Sequence, residues 1–263
     1  MAQMVQPGHM GVGPSADLSV GGLCVWPLPA DESCAGAART LLRSALAALR
    51  LRRETVDDAL LAASELATNA LQHGRRSGAW ASRVPPELWV WARTTPEPQL
   101  VVSVFDTERS SRPDIGPQNP FDEHGRGIGI VAALADAWGT HRSRSWLGTN
   151  SVPGKVVWCS FGLDDPEAIT SVIATPMHAA RHLAESLIVR GIDAAHRDGQ
   201  GVSLVSVPLK RGQDLTIWVE PAHLSFACSS GARVRRPIVD LHDLTEDLVR
   251  RSEGNAPVDG RRP

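Results

Sequence analysis

The chain has 263 residues, 42% of them hydrophobic and 21% charged, with a formal net charge of −2. That length allows one large domain or two modest ones, and the near-neutral charge excludes a general binder of nucleic-acid backbones. No apolar run reaches the roughly twenty residues a membrane span needs, and the N-terminus lacks the basic stretch and apolar core of a signal peptide. A cytoplasmic protein with no direct nucleic-acid or membrane contact is expected. The four cysteines, Cys24, Cys34, Cys159 and Cys228, form no close pair, and no histidine stands at metal-finger spacing from them, which fits a reduced compartment.

Residues 1–22 are rich in Gly, Pro, Ser and Met and read as a disordered leader. Val25-Trp26-Pro27-Leu28-Pro29 reads as a short edge strand. Asp31-Glu32-Ser33 offers capping groups for a helix in which Leu41, Leu42, Ala45, Leu46 and Leu49 recur at helical spacing. Glu54 or Thr55 opens a second helix with an apolar stripe from Ala59 through Leu60, Ala63, Leu66, Ala67 and Ala70 to Leu71. Strands follow at Leu88–Arg93 and Leu100–Asp106, joined by a turn at Thr94–Pro98. Residues 107–126 form a long polar loop, and long loops in compact domains often act as lids. A helix from Gly127 to Ala137 and a strand from Val156 to Phe161 complete the first unit. Two helices, two strands, a loop, a helix and a strand describe an α/β (α+β) sandwich, with helices on one face of a mixed sheet.

Gly162–Pro166 reads as a boundary, so the first domain is assigned to residues 23–163. Residues 166–252 read as a smaller α+β domain with a helix at 176–190, strands at 202–207, 214–220 and 223–228, and a last helix at 240–251. Residues 253–263 are polar and read as a disordered tail. The histidines of this second part, His178, His182, His196, His223 and His242, are scattered and read as ordinary core or surface residues, and Trp218 and Phe226 as core.

The chemistry concentrates in the first domain. Glu65, Asn69 and His73 are spaced by four on the second helix and share one stripe. An amide oxygen at Asn69 is a suitable hard ligand for Mg²⁺, and Glu65, one turn earlier, is placed to accept a proton from a hydroxyl or a water. Asp106 closes an apolar strand, where a carboxylate can accept from the exocyclic amine of adenine. Gly125, Gly127 and Gly129 bracket Arg126 and Ile128 at the start of an apolar helix. Glycines let backbone amides approach phosphate oxygens, and the helix start favours an anion. A Rossmann turn would follow its strand directly, whereas here a long loop intervenes, and no Gly-Lys-Ser/Thr of a P-loop is present.

In this order, Glu65…Asn69, Asp106 and Gly125-Arg126-Gly127-Ile128-Gly129 resemble the N, G1 and G2 boxes of the histidine-kinase-like (GHKL, Bergerat-fold) ATP-binding domain. The likeness is closest to anti-sigma-factor serine/threonine kinases and related regulatory ATP-binding proteins. It extends over Ser64–Gly74, over Gly125–Val131 and Ala135–Gly139, and over Gly154-Lys155-Val156-Val157-Trp158, within roughly residues 25–162. The resemblance implies ATP and Mg²⁺ as cofactors, with Asn69 on the metal, Glu65 activating the acceptor hydroxyl, Asp106 on adenine and the three glycines shaping the lid over the phosphates. His73, Arg126 and Ile128 lie inside the matched runs and are expected to line the nucleotide. The chain departs from the larger superfamily at Glu108, where a glycine two positions after the aspartate is usual, and residues 142–152 make a longer turn than the family carries.

The activity implied is transfer of the ATP γ-phosphate to a serine or threonine of a small anti-anti-sigma (STAS-type) protein, with a sigma factor as a further partner and a homodimer as the common assembly. Two alternatives stay open at this point: a module of the same fold that binds ATP and regulates a partner without transferring phosphate, and a domain that has lost the nucleotide. The second domain is expected to recognise a partner or pack on the ATP-binding domain.

Overall fold

The computed structural model describes residues 3–4, 11–47, 49–76, 84–109, 126–149, 151–209, 213–227, 231–254 and 258–261. In chain order these form β1 (Gln3–Met4), β2 (Leu23–Pro27), α1 (Cys34–Leu46), α2 (Arg53–Arg76), β3 (Glu87–Arg93), β4 (Gln99–Asp106), α3 (Arg126–Leu134), β5 (Ala137–Arg144) and β6 (Pro153–Gly162). There follow β7 (Val172–Ile173), α4 (Pro176–Val189), β8 (Ala195–Asp198), β9 (Ser203–Leu209), β10 (Gln213–Val219), β11 (His223–Ala227), β12 (Arg233–Pro237), α5 (Leu241–Ser252) and β13 (Val258–Arg261).

The first sheet has the order β13-β5-β6-β4-β3-β2. Its side chains alternate with the period of two that a pleated strand imposes. Leu88, Val90, Val102, Val104, Val157 and Cys159 lie with α1, α2 and α3 in the main apolar cluster. Trp89, Trp91, Val101, Phe105 and Val156 form a separate cluster on the opposite face, where the rings of Trp89 and Phe105 stack with centroids 5.4 Å apart. The helix-on-sheet sandwich is thus the expected one. All the described ladders of this sheet are antiparallel. The helical crossover through α3 does bring β5 parallel to β4, but β6 returns between them, antiparallel to both.

A second antiparallel sheet, β12-β11-β10-β9-β8, packs with α4 and α5 around its own apolar cluster. Leu215, Ile217 and Val219 point into that cluster, as does Phe226. Trp218, expected in the core, is only half-buried because it alternates to the other face, where the Arg233 guanidinium lies 5.4 Å from its ring.

Both faces of the first sheet are covered. α5 and the residue after α4 lie on its second face through polar contacts. Trp91 Nε1 donates to Asp243 Oδ1 at 3.4 Å and Arg93 Nη1 donates to the same oxygen at 3.3 Å. Arg190, 0% exposed, stands between the Trp89 and Trp146 rings, 5.0 and 4.7 Å from their centroids. Its Nη1 donates to Glu246 Oε2 at 2.5 Å. The same carboxylate accepts from Ser143 Oγ at 2.7 Å and lies 2.8 Å from His141 Nε2.

Several sequence expectations are corrected. The helix expected to run to Ala137 stops at Leu134, and Ala137–Arg144 form β5, which takes in the first three residues of the turn expected at 142–152. That turn is shortened to the residues between β5 and β6 and is organised by the buried Glu87, which accepts from Ser145 Oγ and from Trp146 N–H at 2.9 Å. Residues 11–22, expected as leader, are packed: Val12 bridges Leu23, and Leu18 and Val20 are buried, one in each main cluster. Within the expected tail, Val258–Arg261 pair with the edge of β5, whose backbone groups would otherwise lack strand partners. The arginines Arg233, Arg235 and Arg236 lie on β12, and Arg236 reaches Asp243 at 3.0 Å.

Candidate nucleotide site

α2 forms because its alanines and leucines recur on one stripe, and that stripe faces the sheet: Ala59, Ala63, Leu66, Ala67 and Ala70 are buried in the main cluster. Glu65, Asn69 and His73 lie beside the stripe and are half-buried. The helix packs against α1, α3 and β4, and Asp106 closes β4 on the same side. Arg39 on α1 donates to Ser64 Oγ at 2.9 Å and ties the two helices next to Glu65.

α3 brings the glycine-rich segment to Glu65. A β-carbon on Gly127 would sit 2.9 Å from Glu65 Oε2 and 3.7 Å from its Cβ, so a side chain at this second residue of α3 would require the carboxylate to move. A helix start carries unpaired N–H groups and positive potential. The glutamate of α2 therefore lies where an anion is favoured. Gly129 is half-buried on the same helix. The side chain of Ile128 is 4% exposed and packs in the main cluster, so what it can offer a nucleotide is its backbone at the first turn of α3. Gly125 lies outside the described residues, as does the side chain of Arg126.

Asp106 is 5% exposed. Its Oδ1 accepts from Lys155 Nζ at 2.8 Å and from the Glu108 N–H at 2.8 Å. Burial pushes its carboxyl above the usual carboxylate value, and the Lys155 ammonium and the Glu108 N–H oppose that shift. The fold therefore brings Glu65 against Gly127, and Asn69 and His73 onto the helix that crosses the strand ending in Asp106. Sequence reasoning did not count Lys155 as a site residue; its signal was the Gly154-Lys155 pair at the second and third positions of β6. The segment leaving Asp106 is also tied to the C-terminal part: Arg109 Nη2 donates to Glu253 Oε2 at 2.5 Å, and Arg144 Nε donates to Glu253 Oε1 at 2.6 Å.

A cleft of about 480 Å³ lies on the other face of the sheet, between Trp91, Arg93 and Trp158 on the strands and Asp243, Asp247 and Arg250 on α5. It is separated from Asp106 and α2 by the sheet itself. Among the described residues no group of three or more His, Cys, Asp or Glu side chains could hold a metal ion. Cys24, Cys34 and Cys159 are buried and free; burial pushes the Cys24 and Cys34 thiols up to about 11, and Cys159 higher still. No helix among the described residues is long and apolar enough to cross a membrane.

Residues 28–157 match the family model of the histidine kinase-like ATPase domain. No curated protein matches the chain.

Proposed function

Since the chain belongs, through residues 28–157, to the histidine kinase-like ATPase domain family, we propose that it binds ATP with Mg²⁺ between α2, the end of β4 and the start of α3, and passes the γ-phosphate to a serine or threonine hydroxyl of a partner protein. The observation that carries this reading is the packing of Gly127 beside Glu65, where a β-carbon would stand 2.9 Å from the carboxylate. It joins the residue suited to proton acceptance to the helix start suited to phosphate.

The residues fit the group. Asn69 offers a hard oxygen one turn from Glu65, few protein ligands are needed for Mg²⁺, and the first turn of α3 carries Gly127 and Gly129. When bound, Mg²⁺-ATP supplies an electrophilic γ-phosphoryl whose transfer depends on positioning and on stabilisation of charge. With the nucleotide bound, Glu65 would orient the attacking hydroxyl and accept its proton, Asn69 would hold the metal, Asp106 would accept from the adenine amine, and the amides at Gly127–Gly129 would hold the phosphates. On the resemblance to anti-sigma-factor kinases, the acceptor is a small anti-anti-sigma protein of STAS type, and a sigma factor is the protein held or released.

A second reading, regulation by nucleotide-dependent binding without transfer, draws on the Arg109–Glu253 pair, which links the strand end carrying Asp106 to the C-terminal helix. Glu65→Ala separates the two. Under phosphate transfer, the variant binds Mg²⁺-ATP about as well as the wild type and no longer labels the acceptor. Equal labelling by wild type and variant would remove Glu65 from the chemistry.

A further inference from the structure

Lys155 is one of two lysines in the chain, and its side chain is 4% exposed. It stands directly opposite Asp106 in the β4–β6 ladder. Its Nζ donates to Asp106 Oδ1 at 2.8 Å and to the Glu108 carbonyl at 2.6 Å. Glu108 N–H returns to the same Oδ1 at 2.8 Å. The neighbouring Gly154 makes this approach possible: a β-carbon there would run into the Asp106 carbonyl oxygen and lie 2.5 Å from the Phe105 ring.

Taking an ammonium out of water is costly, and a well-packed apolar residue at such a position is often no less stabilising than an ion pair. Strand pairing alone therefore gives no reason for a charge here. The hydrogen bonds supply one. Both donors fall on Oδ1, and no donor of a described residue reaches Oδ2. An ionised carboxylate fixed through one oxygen keeps the other as a pure acceptor, which suits an exocyclic amine and repels a carbonyl.

We infer that Lys155 is a positioning residue for base recognition: it locks Asp106 through Oδ1, so that Oδ2 is held as the acceptor for the 6-amino group of adenine. The Glu108 carbonyl, held by the same ammonium, fixes the chain where the superfamily glycine is missing. The inference rests on the ATP reading proposed above and deepens it. It also separates two parts of the ligand: Lys155 governs the base, whereas α2 and α3 govern the triphosphate.

The test is titration calorimetry on the full chain with Mg²⁺-ATP and with the Mg²⁺ complex of purine riboside triphosphate, which keeps the sugar and phosphates and lacks the 6-amino group. Wild type should prefer ATP at least tenfold. Lys155→Met should lose at least tenfold in ATP affinity and change by less than about twofold toward the purine analogue, so its preference collapses. Asp106→Asn should abolish the preference, and adding Lys155→Met to it should change little. A merely structural role would weaken both ligands equally, and that result would overturn the inference while leaving the ATP reading intact. Wild type that binds the two triphosphates equally would overturn it too. Wild type that binds neither would overturn the ATP reading itself. Should Lys155→Met fail to fold, Lys155→Leu, which also removes the donor, decides by the same ratio: a fall of at least tenfold supports the inference and an unchanged ratio overturns it.

Discussion

Gly127 leaves room for the Glu65 carboxylate: a β-carbon on the first would stand 2.9 Å from Oε2 of the second. One residue belongs to α3 and the other to α2, so this close approach joins two parts of the candidate site that lie more than sixty residues apart in the chain. Replacing Gly127 by alanine should therefore separate stability from function. The atom in the way is the tip of a flexible side chain, which can swing aside. Alanine in a helix also gains up to about 1 kcal/mol over glycine. We expect Gly127→Ala to melt at or slightly above the wild-type temperature and to lose at least tenfold in phosphate transfer, read by calorimetry and by labelling of the acceptor. A variant that melts far lower would mean that the glycine serves packing alone.

Arg190 and Glu246 form a buried pair whose charges have no solvent to fall back on. Removing one partner of such a pair typically costs about 3–5 kcal/mol. Arg190→Leu should lower the melting temperature by roughly 6–12 °C in a protein of this size. Arg190→Leu with Glu246→Leu should recover part of that loss, because the uncompensated carboxylate is gone. Thermal unfolding of the three variants measures the difference.

Acid should loosen the same region. His182 is pushed below its ordinary value by burial, with Glu185 opposing, and its ring meets that of His242 at 5.3 Å. Its folded form resists protonation, so its contribution is complete above the ordinary value of 6.5 and is lost as pH falls below it. Burial works against the Glu246 carboxylate, but Arg190 and His141 outweigh it and hold the group below its ordinary value of 4.5. That contribution is present above 4.5 and is lost at lower pH. Urea unfolding should report lower stability at pH 5.5 than at pH 7.5, and His182→Leu should flatten that step while leaving the loss below pH 4.5.

The sandwich and the two helices of the site were legible because their signals are local. The apolar stripe of α2 and the alternation of Leu88–Arg93 are each contained in one segment, as is the glycine run that opens α3. β5 escaped because Gly139, His141 and Arg142 break its alternation, and β8 because all four of its residues are exposed. Packing of the C-terminal part on the first domain was one of two expectations, but the residues that cover the sheet's second face were not legible. That covering depends on pairs such as Ser143–Glu246 and Trp91–Asp243, separated by 103 and 152 residues, and no spacing rule brings such residues together. Lys155 is intermediate: the sequence marks it beside Gly154, but its meaning comes only from the ladder that sets it opposite Asp106.

The convergence of α2 and the start of α3 on one triphosphate is tested most directly by Mg²⁺-ATP calorimetry on wild type and Asn69→Ala. Micromolar affinity in the wild type and a loss of at least tenfold, about 1.4 kcal/mol, in the variant is the expected result. Equal affinity in the two proteins would take Asn69 off the metal, and absence of binding in both would contradict a nucleotide site between these helices.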